Sequence, residues 1–512
     1  MKRKYYRIFL ISAITTLLIS SCSEDFLEKT PPSVFTEANY YKNVAELETG
    51  LVACFSYLRA GIDIDHWMIG DLNSDDADCG SSPGDQPGLY DISYSRQKPS
   101  GMWIWYFWYD FYAVIGRCNE VIDRSVGTQG DPADIERIVD QAKYLRALCF
   151  YHLVTTYGEV PLINRFLNPE ELILNKALGD EIWSQIESDL KDATNLPTVS
   201  EWNESGRVTS GAAYSLLGKV YLTQKKYAQA NSAFYKVVSS GQYQLVPDFG
   251  SIFRYEGENC AESVFEIQHM VNIPDGNMGT FSASWRMPRD YEANGWGFDT
   301  PTRDLFNEYE AGDPRIIYTF IFPGDQFPAQ EEGKTFTVEC FESPTGYNAR
   351  KAWVPWSERR DLGYWEIDYN YRYMRYAEVL LLYAESLGEM NKPDSALILL
   401  NMVRARARST PTTDPQRVSC AHNLSYTGDL LPDVTTHDQF DLRQAIWHEQ
   451  RVELAIEGHR RNMLMRMGKF KERMEAAKAY AGVSVEPHES LFPIPQMEIE
   501  ATNGMITQNS GY

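Results

Sequence analysis

Positive charge is scarce in this chain: 48 lysines and arginines stand against 71 aspartates and glutamates, for a formal net charge of −23. No basic stripe is available to neutralise phosphates, so nucleic acid and anionic membrane surfaces are disfavoured as partners and neutral ligands stay open. Paired cysteines are missing as well. Of the eight cysteines, all but Cys22 (Cys54, Cys79, Cys118, Cys149, Cys260, Cys340 and Cys420) are scattered singly, odd in number and without a CxxC. A disulfide framework or structural zinc site is therefore not expected, and most read as small buried hydrophobes. Catalytic signatures are lacking too. There is no GxSxG elbow, HExxH helix or P-loop, and His448-Glu449-Gln450-Arg451-Val452 has no second histidine. Beyond the N-terminal segment no apolar run is long enough to cross a bilayer. The best, Met102 to Ile115, is broken by Asp110 and reads as a buried aromatic helix.

What is present begins at the N-terminus. Lys2, Arg3, Lys4 and Arg7 precede an apolar stretch from Ile8 to Ile19, and Ile19-Ser20-Ser21-Cys22 follows. An apolar core of about 12 residues suits a signal peptide and falls short of a membrane-spanning helix. Small residues before a cysteine match a bacterial lipobox, so residues 1–21 are expected to be a signal peptide and Cys22 the lipid-bearing residue. Ser23-Glu24-Asp25 resembles the acidic tag of lipoproteins sent to the outer face of the outer membrane. Residues 22–45, with Pro31-Pro32, read as a tether.

The body is mainly helical. Tyr214-x2-Leu217-Gly218-x2-Tyr221, followed by Ala230-x3-Phe234, matches a tetratricopeptide hairpin in which Gly218 lets the second helix approach. Leu380-x2-Tyr383-Ala384-x2-Leu387 with Ala396-x3-Leu400 repeats the offsets, and Asn391-Lys392-Pro393-Asp394 supplies the turn. Weaker helical patterns at Ile135–Thr156 and Leu442–Met467 complete a scaffold of about four hairpin pairs, since such repeats need neighbours to cover their apolar faces. Two stretches rich in Gly, Pro and short β-like runs, Asp63–Ser100 and Pro247–Tyr369, are expected as long irregular insertions with minor β structure.

Several residues invite a chemical reading. Glu449, Glu453 and Glu457 are expected to share one helix face, where two of them could be cast as a glycosidase pair, but the nearby Arg451, Arg460, Arg461 and Arg466 favour salt-bridged packing. His459 has no companion at ligand spacing and reads as a core histidine. Asp71-Leu72-Asn73-Ser74-Asp75-Asp76-Ala77-Asp78 begins like a calcium loop, but Asp76 and Ser82 stand where an EF-hand needs Gly and Glu. A looser calcium site is the weaker alternative to a polar turn, and no cofactor is expected. Trp103, Trp105 and Trp108 share one helix and read as core. Trp67, Trp285, Trp296, Trp353, Trp356 and Trp365 fall in the irregular stretches. Indole rings with Asp, Asn and Arg suit the C–H faces and hydroxyls of neutral sugars, so Trp67, Asp75, Trp285, Trp296 and Trp356 are the candidate ligand residues.

The C-terminal third carries a resemblance. Arg375-Tyr376-Ala377-Glu378-Val379-Leu380-Leu381, Leu400-Asn401-Met402-Val403-Arg404-Ala405-Arg406-Ala407, and Glu449 through Glu457-Gly458-His459-Arg460 resemble signatures of the SusD family. So do Leu491-Phe492-Pro493-Ile494-Pro495, Thr507-Gln508-Asn509-Ser510-Gly511-Tyr512, Tyr157-Gly158-Glu159-Val160-Pro161-Leu162 and Gly295-Trp296-Gly297-Phe298. Asn462-Met463 and Met467 depart from the family pattern. The resemblance implies one body over residues 46–512. Its helical scaffold would cover about 46–60, 103–246 and 370–480, and its ligand-facing insertions about 61–102 and 247–369. It further implies a non-enzymatic, glycan-binding outer-membrane lipoprotein, held by its lipid and partnered with a SusC-like TonB-dependent transporter. A peptide-binding relative, a surface glycosidase and a protein-docking scaffold are the alternatives.

Overall fold

A computed structural model describes residues 40–512 except 274–275, 290–292, 341, 357, 360–366 and 425; Cys22, the signal and most of the tether, and Trp365, lie outside the described residues. The first helix, α1 (Val44–Trp67), does not stop near residue 60 as expected. It continues into a π-helical turn, Met68–Leu72, before a short strand, β1 (Ala77–Asp78). The reason is long-range: a side-chain carbon on Gly70 would sit 1.9 Å from the carbonyl oxygen of Gly458. Only a bare backbone fits there, and burial of the turn against a distant segment overrides local composition. Gly70→Ala is expected to cost about 3 kcal/mol by overpacking, read from urea unfolding; an unchanged midpoint would contradict this contact.

The helices that follow are α2 (Pro87–Ser93), α3 (Met102–Arg124), α4 (Pro132–Tyr157), α5 (Gly179–Ala193), α6 (Ser210–Thr223) and α7 (Tyr227–Ser239). Pairs form between α1 and α3, α4 and α5, and α6 and α7. Gly218 does what its place in the repeat demands, since an added side-chain carbon would lie 2.5 Å from the Phe234 ring. The second copy is the hairpin of α9 (Tyr376–Glu389) and α10 (Pro393–Ser409), placed after α8 (Ser282–Arg286) in the long insertion. Its turn copies the first. Lys225 and Asn391 both adopt a left-handed backbone, and Lys226 and Lys392 each donate their amide to the carbonyl five residues back, at 2.8 and 2.9 Å. Capping of this kind closes a helix without leaving orphan carbonyls.

The expected helix Leu442–Met467 is broken. It forms α11 (Gln439–Leu454) and α12 (Arg460–Met467), with Ile456 and Gly458 left-handed between them. The break turns Glu457 inward. Glu449, Glu453 and Glu457 are buried in ion pairs, as the arginine-rich surroundings lead one to expect, but their partners come from elsewhere in the chain. Glu449 meets Arg315 at 2.5 Å and Arg404 at 2.9 Å; Glu453 meets Arg315, Arg375 and Arg406; Glu457 meets Arg375 at 2.7 Å and Lys351 at 2.6 Å. Against their burial, the surrounding cations push Glu453 and Glu457 below their ordinary range, which leaves both poorly placed to act as a general acid.

The insertion contributes short strands. β2 (Ser263–Ile267) pairs antiparallel with β4 (Tyr371–Arg375), and β3 (Thr300–Pro301) with β1. It also carries an apolar cluster of its own, in which Phe327, Phe336, Val338 and Trp353 are buried. It is thus more ordered than its composition predicts.

Candidate functional site

Residues 284–287 lie against residues 296–298. Trp296 donates its amide to the Ser284 carbonyl, Gly297 to Met287 and Phe298 to Trp285, each at 2.8 Å. This ladder sets Trp285 opposite Trp296, with ring centroids 4.9 Å apart and planes inclined at 48°. Gly297 has φ +69, and a side-chain carbon there would crowd the backbone of Arg289 at 3.2 Å, so glycine is required in the Gly-Trp-Gly-Phe motif. Phe298 lies 5.2 Å from Trp285, and Trp103 on α3 meets Trp285 edge-on at 5.4 Å. Trp103, Trp285 and Trp296 are each half-buried, so the cluster presents an aromatic surface while its far side packs.

Beside it stands a polar cluster. Arg289 bridges Asp85 and Glu342, with 2.7 Å to Glu342, and its guanidinium also reaches the Ser81 hydroxyl. Ser81 and the Ser82 amide hydrogen-bond Asp85 at 2.7 and 3.2 Å. These bonds hold the Asp85 carboxyl below its usual range, the Ser81 hydroxyl and Arg289 contributing most. The two clusters are joined through backbone. Gly297 packs on Arg289, and Gly88, at the start of α2, packs on the Trp103 ring. Indole faces next to solvent-accessible carboxylate and guanidinium groups, braced from behind by the buried Ser81 hydroxyl, match what a neutral polyhydroxylated ligand requires.

Of the five candidate ligand residues, the fold pairs two and links a third to the same segment through Arg359. Trp285 and Trp296 form the aromatic pair. Trp356, half-buried, lies under the Arg359 guanidinium at 4.0 Å, and Arg359 donates to the Ala293 carbonyl at 2.7 Å, tying it to the same segment. Trp67 and Asp75 need correction, because both are fully buried and present nothing to a ligand. Trp67 ends α1, where Arg286 lies 5.8 Å from its ring; Arg286 in turn pairs with Asp299 at 2.8 Å and donates to the Ile456 carbonyl at 2.6 Å. Its role is to support the helix that carries Trp285. Asp75 is clamped by Arg460 at 2.7 Å, Arg473 at 2.9 Å and Arg451 at 3.1 Å, which hold it ionised despite burial.

The neighbouring acids are used up in the same manner. Asp76 meets Arg451, and Asp78 accepts from Ser93. Among the described residues no group of three or more His, Cys, Asp or Glu is placed to hold a metal ion. His459 is buried against Lys219 and Glu378. The residues around this face that the sequence does not single out are Ser81, Asp85, Arg289 and Glu342; Trp103, expected in the core, packs against it and also meets Trp285. Of the other two tryptophans on α3, Trp108 is buried and Trp105 is half-exposed, stacked on Tyr109 at 5.1 Å. The Gly-Ser-Ser-Pro-Gly-Asp run at 80–85, exposed from Ser82 to Asp85, is the signal that points to this loop.

Helical hairpins presenting an aromatic and hydrogen-bonding face define a binding protein of the repeat-scaffold class. Residues 251–512 match the SusD family, and residues 25–222 match a family described as starch-binding and associating with the outer membrane. The chain belongs to the SusD family. The SusD-like protein P2 of Formosa agariphila is 26% identical over 99% of this chain and 100% of its own. A laminarin-binding SusD-like protein superposes with a TM-score of 0.74 at 28% identity, covering 92% of this chain and all of the other. The surface glycan-binding protein A of Bacteroides thetaiotaomicron, solved with laminarihexaose, gives a TM-score of 0.72 at 22% identity over 91% and 99% of the two chains. Among the described residues no helix is long and apolar enough to cross a membrane.

Proposed function

We propose that this protein is a cell-surface lipoprotein that captures a neutral oligosaccharide or polysaccharide and passes it, uncleaved, to a SusC-like TonB-dependent transporter. The observation that carries the reading is the Trp285–Trp296 pair set beside the Asp85–Arg289–Glu342 cluster, in a chain of the SusD family. The absence of hydrolysis rests on Glu449, Glu453 and Glu457, the carboxylates of most suggestive spacing, being neutralised by arginine and lysine inside the core. The likeness to a laminarin-binding protein makes laminarin and laminarihexaose the first ligands to test. A soluble form should be retained on a glycan array and return its bound oligosaccharide unshortened by chromatography. Retention by peptides alone, or steady product release abolished by one Asp or Glu substitution, would overturn the reading.

The lipid anchor is proposed for Cys22, in Ile19-Ser20-Ser21-Cys22. Each buried lipid CH₂ contributes about 0.8 kcal/mol and stable anchoring takes more than one chain. Cys22→Ala is therefore expected to release a folded protein from membranes of cells lacking the transporter. Complete retention in the membrane fraction would contradict the assignment.

A further inference from the structure

A second cleft shares no residue with the Trp285–Trp296 face. It opens between the 199–209 loop, which leads into α6, and the 259–266 segment, which includes most of β2. Its volume of about 410 Å³ falls within the span of roughly 300–1,000 Å³ common to ligand sites.

The wall of this cleft is fixed. Trp202 is half-buried, its indole N–H donates to the Val208 carbonyl at 2.9 Å, and the Arg207 guanidinium lies 5.8 Å from its ring. The charges lining the cleft are already matched. Arg207 pairs with Glu48 and, at 2.7 Å, with Glu204, while Glu266 accepts from the Asn259 amide at 3.0 Å and from the Asn370 side chain at 3.1 Å. An ion entering would find no uncompensated partner. What remains is uncharged: Asn203, Gln242 and Asn259 at the rim, and the bonded Thr209–Tyr243 hydroxyl pair at 2.9 Å behind them. A larger cleft of about 490 Å³ beside α4 lacks this combination, for it carries Glu136, Asp140, Lys143 and Asp192 and no aromatic ring.

We propose that this cleft is a second glycan-binding subsite, taking a neutral oligosaccharide with one sugar ring against Trp202 and its hydroxyls on Asn203, Gln242 and Asn259. The ligand class rests on the reading under Proposed function; the site itself is separate. Two sites on one tethered molecule hold a polysaccharide by avidity, because the second contact is made at high effective concentration.

The test uses protein labelled with 5-fluorotryptophan, whose twelve tryptophans give separate ¹⁹F lines, the Trp202 line being assigned from Trp202→Phe. The probes are laminarihexaose, maltohexaose, cellohexaose, xylohexaose and mannohexaose. At least one is expected to shift the Trp202 line saturably, both in the wild type and in Trp285→Ala/Trp296→Ala, which separates this site from the first. In the Trp285→Ala/Trp296→Ala background, where this cleft is the site left to the sugar, Trp202→Ala is expected to weaken calorimetrically measured binding by about tenfold, the worth of one aromatic contact. If Trp202→Ala fails to fold, Gln242→Ala serves in its place and should weaken the Trp202 shift. A Trp202 line unmoved by all five sugars, or a shift that vanishes when Trp285 and Trp296 are removed, would overturn the proposal. A shift at Trp202 alone would uphold it and count against the first site.

Discussion

Arg375→Met is expected to remove about 3–5 kcal/mol of stability, the cost of leaving a buried carboxylate without its cation. Arg375 is itself buried and reaches Glu262 at 2.5 Å, Glu453 at 3.1 Å and Glu457 at 2.7 Å. Arg406 and Lys351 remain in the variant, but they already serve Glu262, Glu453 and Glu457. Three glutamates would then share fewer donors in a region closed to water. Methionine keeps most of the volume, so packing loss contributes little. Urea unfolding measures the effect, and adding Glu457→Gln should restore part of the loss, because one of the stranded charges is then removed. A variant within about 0.5 kcal/mol of wild type, the spread of ordinary surface substitutions, would show that the network is not coupled as its geometry indicates.

The second large effect is on acid stability. His66, His152 and His459 meet in the core, with His66 ring centroids 5.4 Å from His152 and 5.2 Å from His459. His152 accepts from or donates to the Tyr373 hydroxyl at 2.7 Å, stacks on Phe111 and lies near Tyr151. Burial first, then Lys219 and His459, lower its pKa to about 3. In the unfolded chain the ring titrates near 6.5, so between those two values the unfolded state binds more protons and acid favours unfolding. At pH 5 the cost from His152 alone is about 2 kcal/mol, a large part of the 5–15 kcal/mol that holds a typical domain. His66 and His459 are lowered in the same direction. His152→Gln, which keeps a partner for Tyr373, should therefore lose about 2 kcal/mol less than wild type between pH 7 and pH 5. Parallel pH profiles would refute the assignment.

Much of the scaffold could be read before any coordinates were known, because its determinants are local. Gly218, Ala230 and Phe234 sit at offsets that force two helices together, and Ala384, Ala396 and Leu400 repeat them. The site was legible only in part. Trp285 and Trp296 are eleven residues apart in one glycine-marked segment, so proximity in sequence became proximity in space. Trp67 and Asp75 misled because their burial depends on partners hundreds of residues away, the Gly458 carbonyl beneath Gly70 and the arginines that clamp Asp75. The same distance hid the partners of Glu449 and Glu453, since Arg315 comes from the insertion. Trp103 was obscured by its own helix. Ile104, Phe107, Trp108 and Phe111 form the buried stripe of α3, and Trp103 and Trp105 lie on its flanks, a difference that a run of aromatics conceals.

The face formed by Trp285, Trp296, Asp85 and Arg289 is the central claim, and calorimetric titration beside thermal melting tests it most directly. The oligosaccharide with the strongest array signal, with laminarihexaose run alongside, is titrated into wild type and into Trp285→Ala/Trp296→Ala. The double variant is expected to bind at least about tenfold more weakly, since each ring contributes on the order of 1 kcal/mol, while its melting temperature shows that the fold persists. Wild-type affinity in a folded double variant would place the ligand elsewhere and contradict the account.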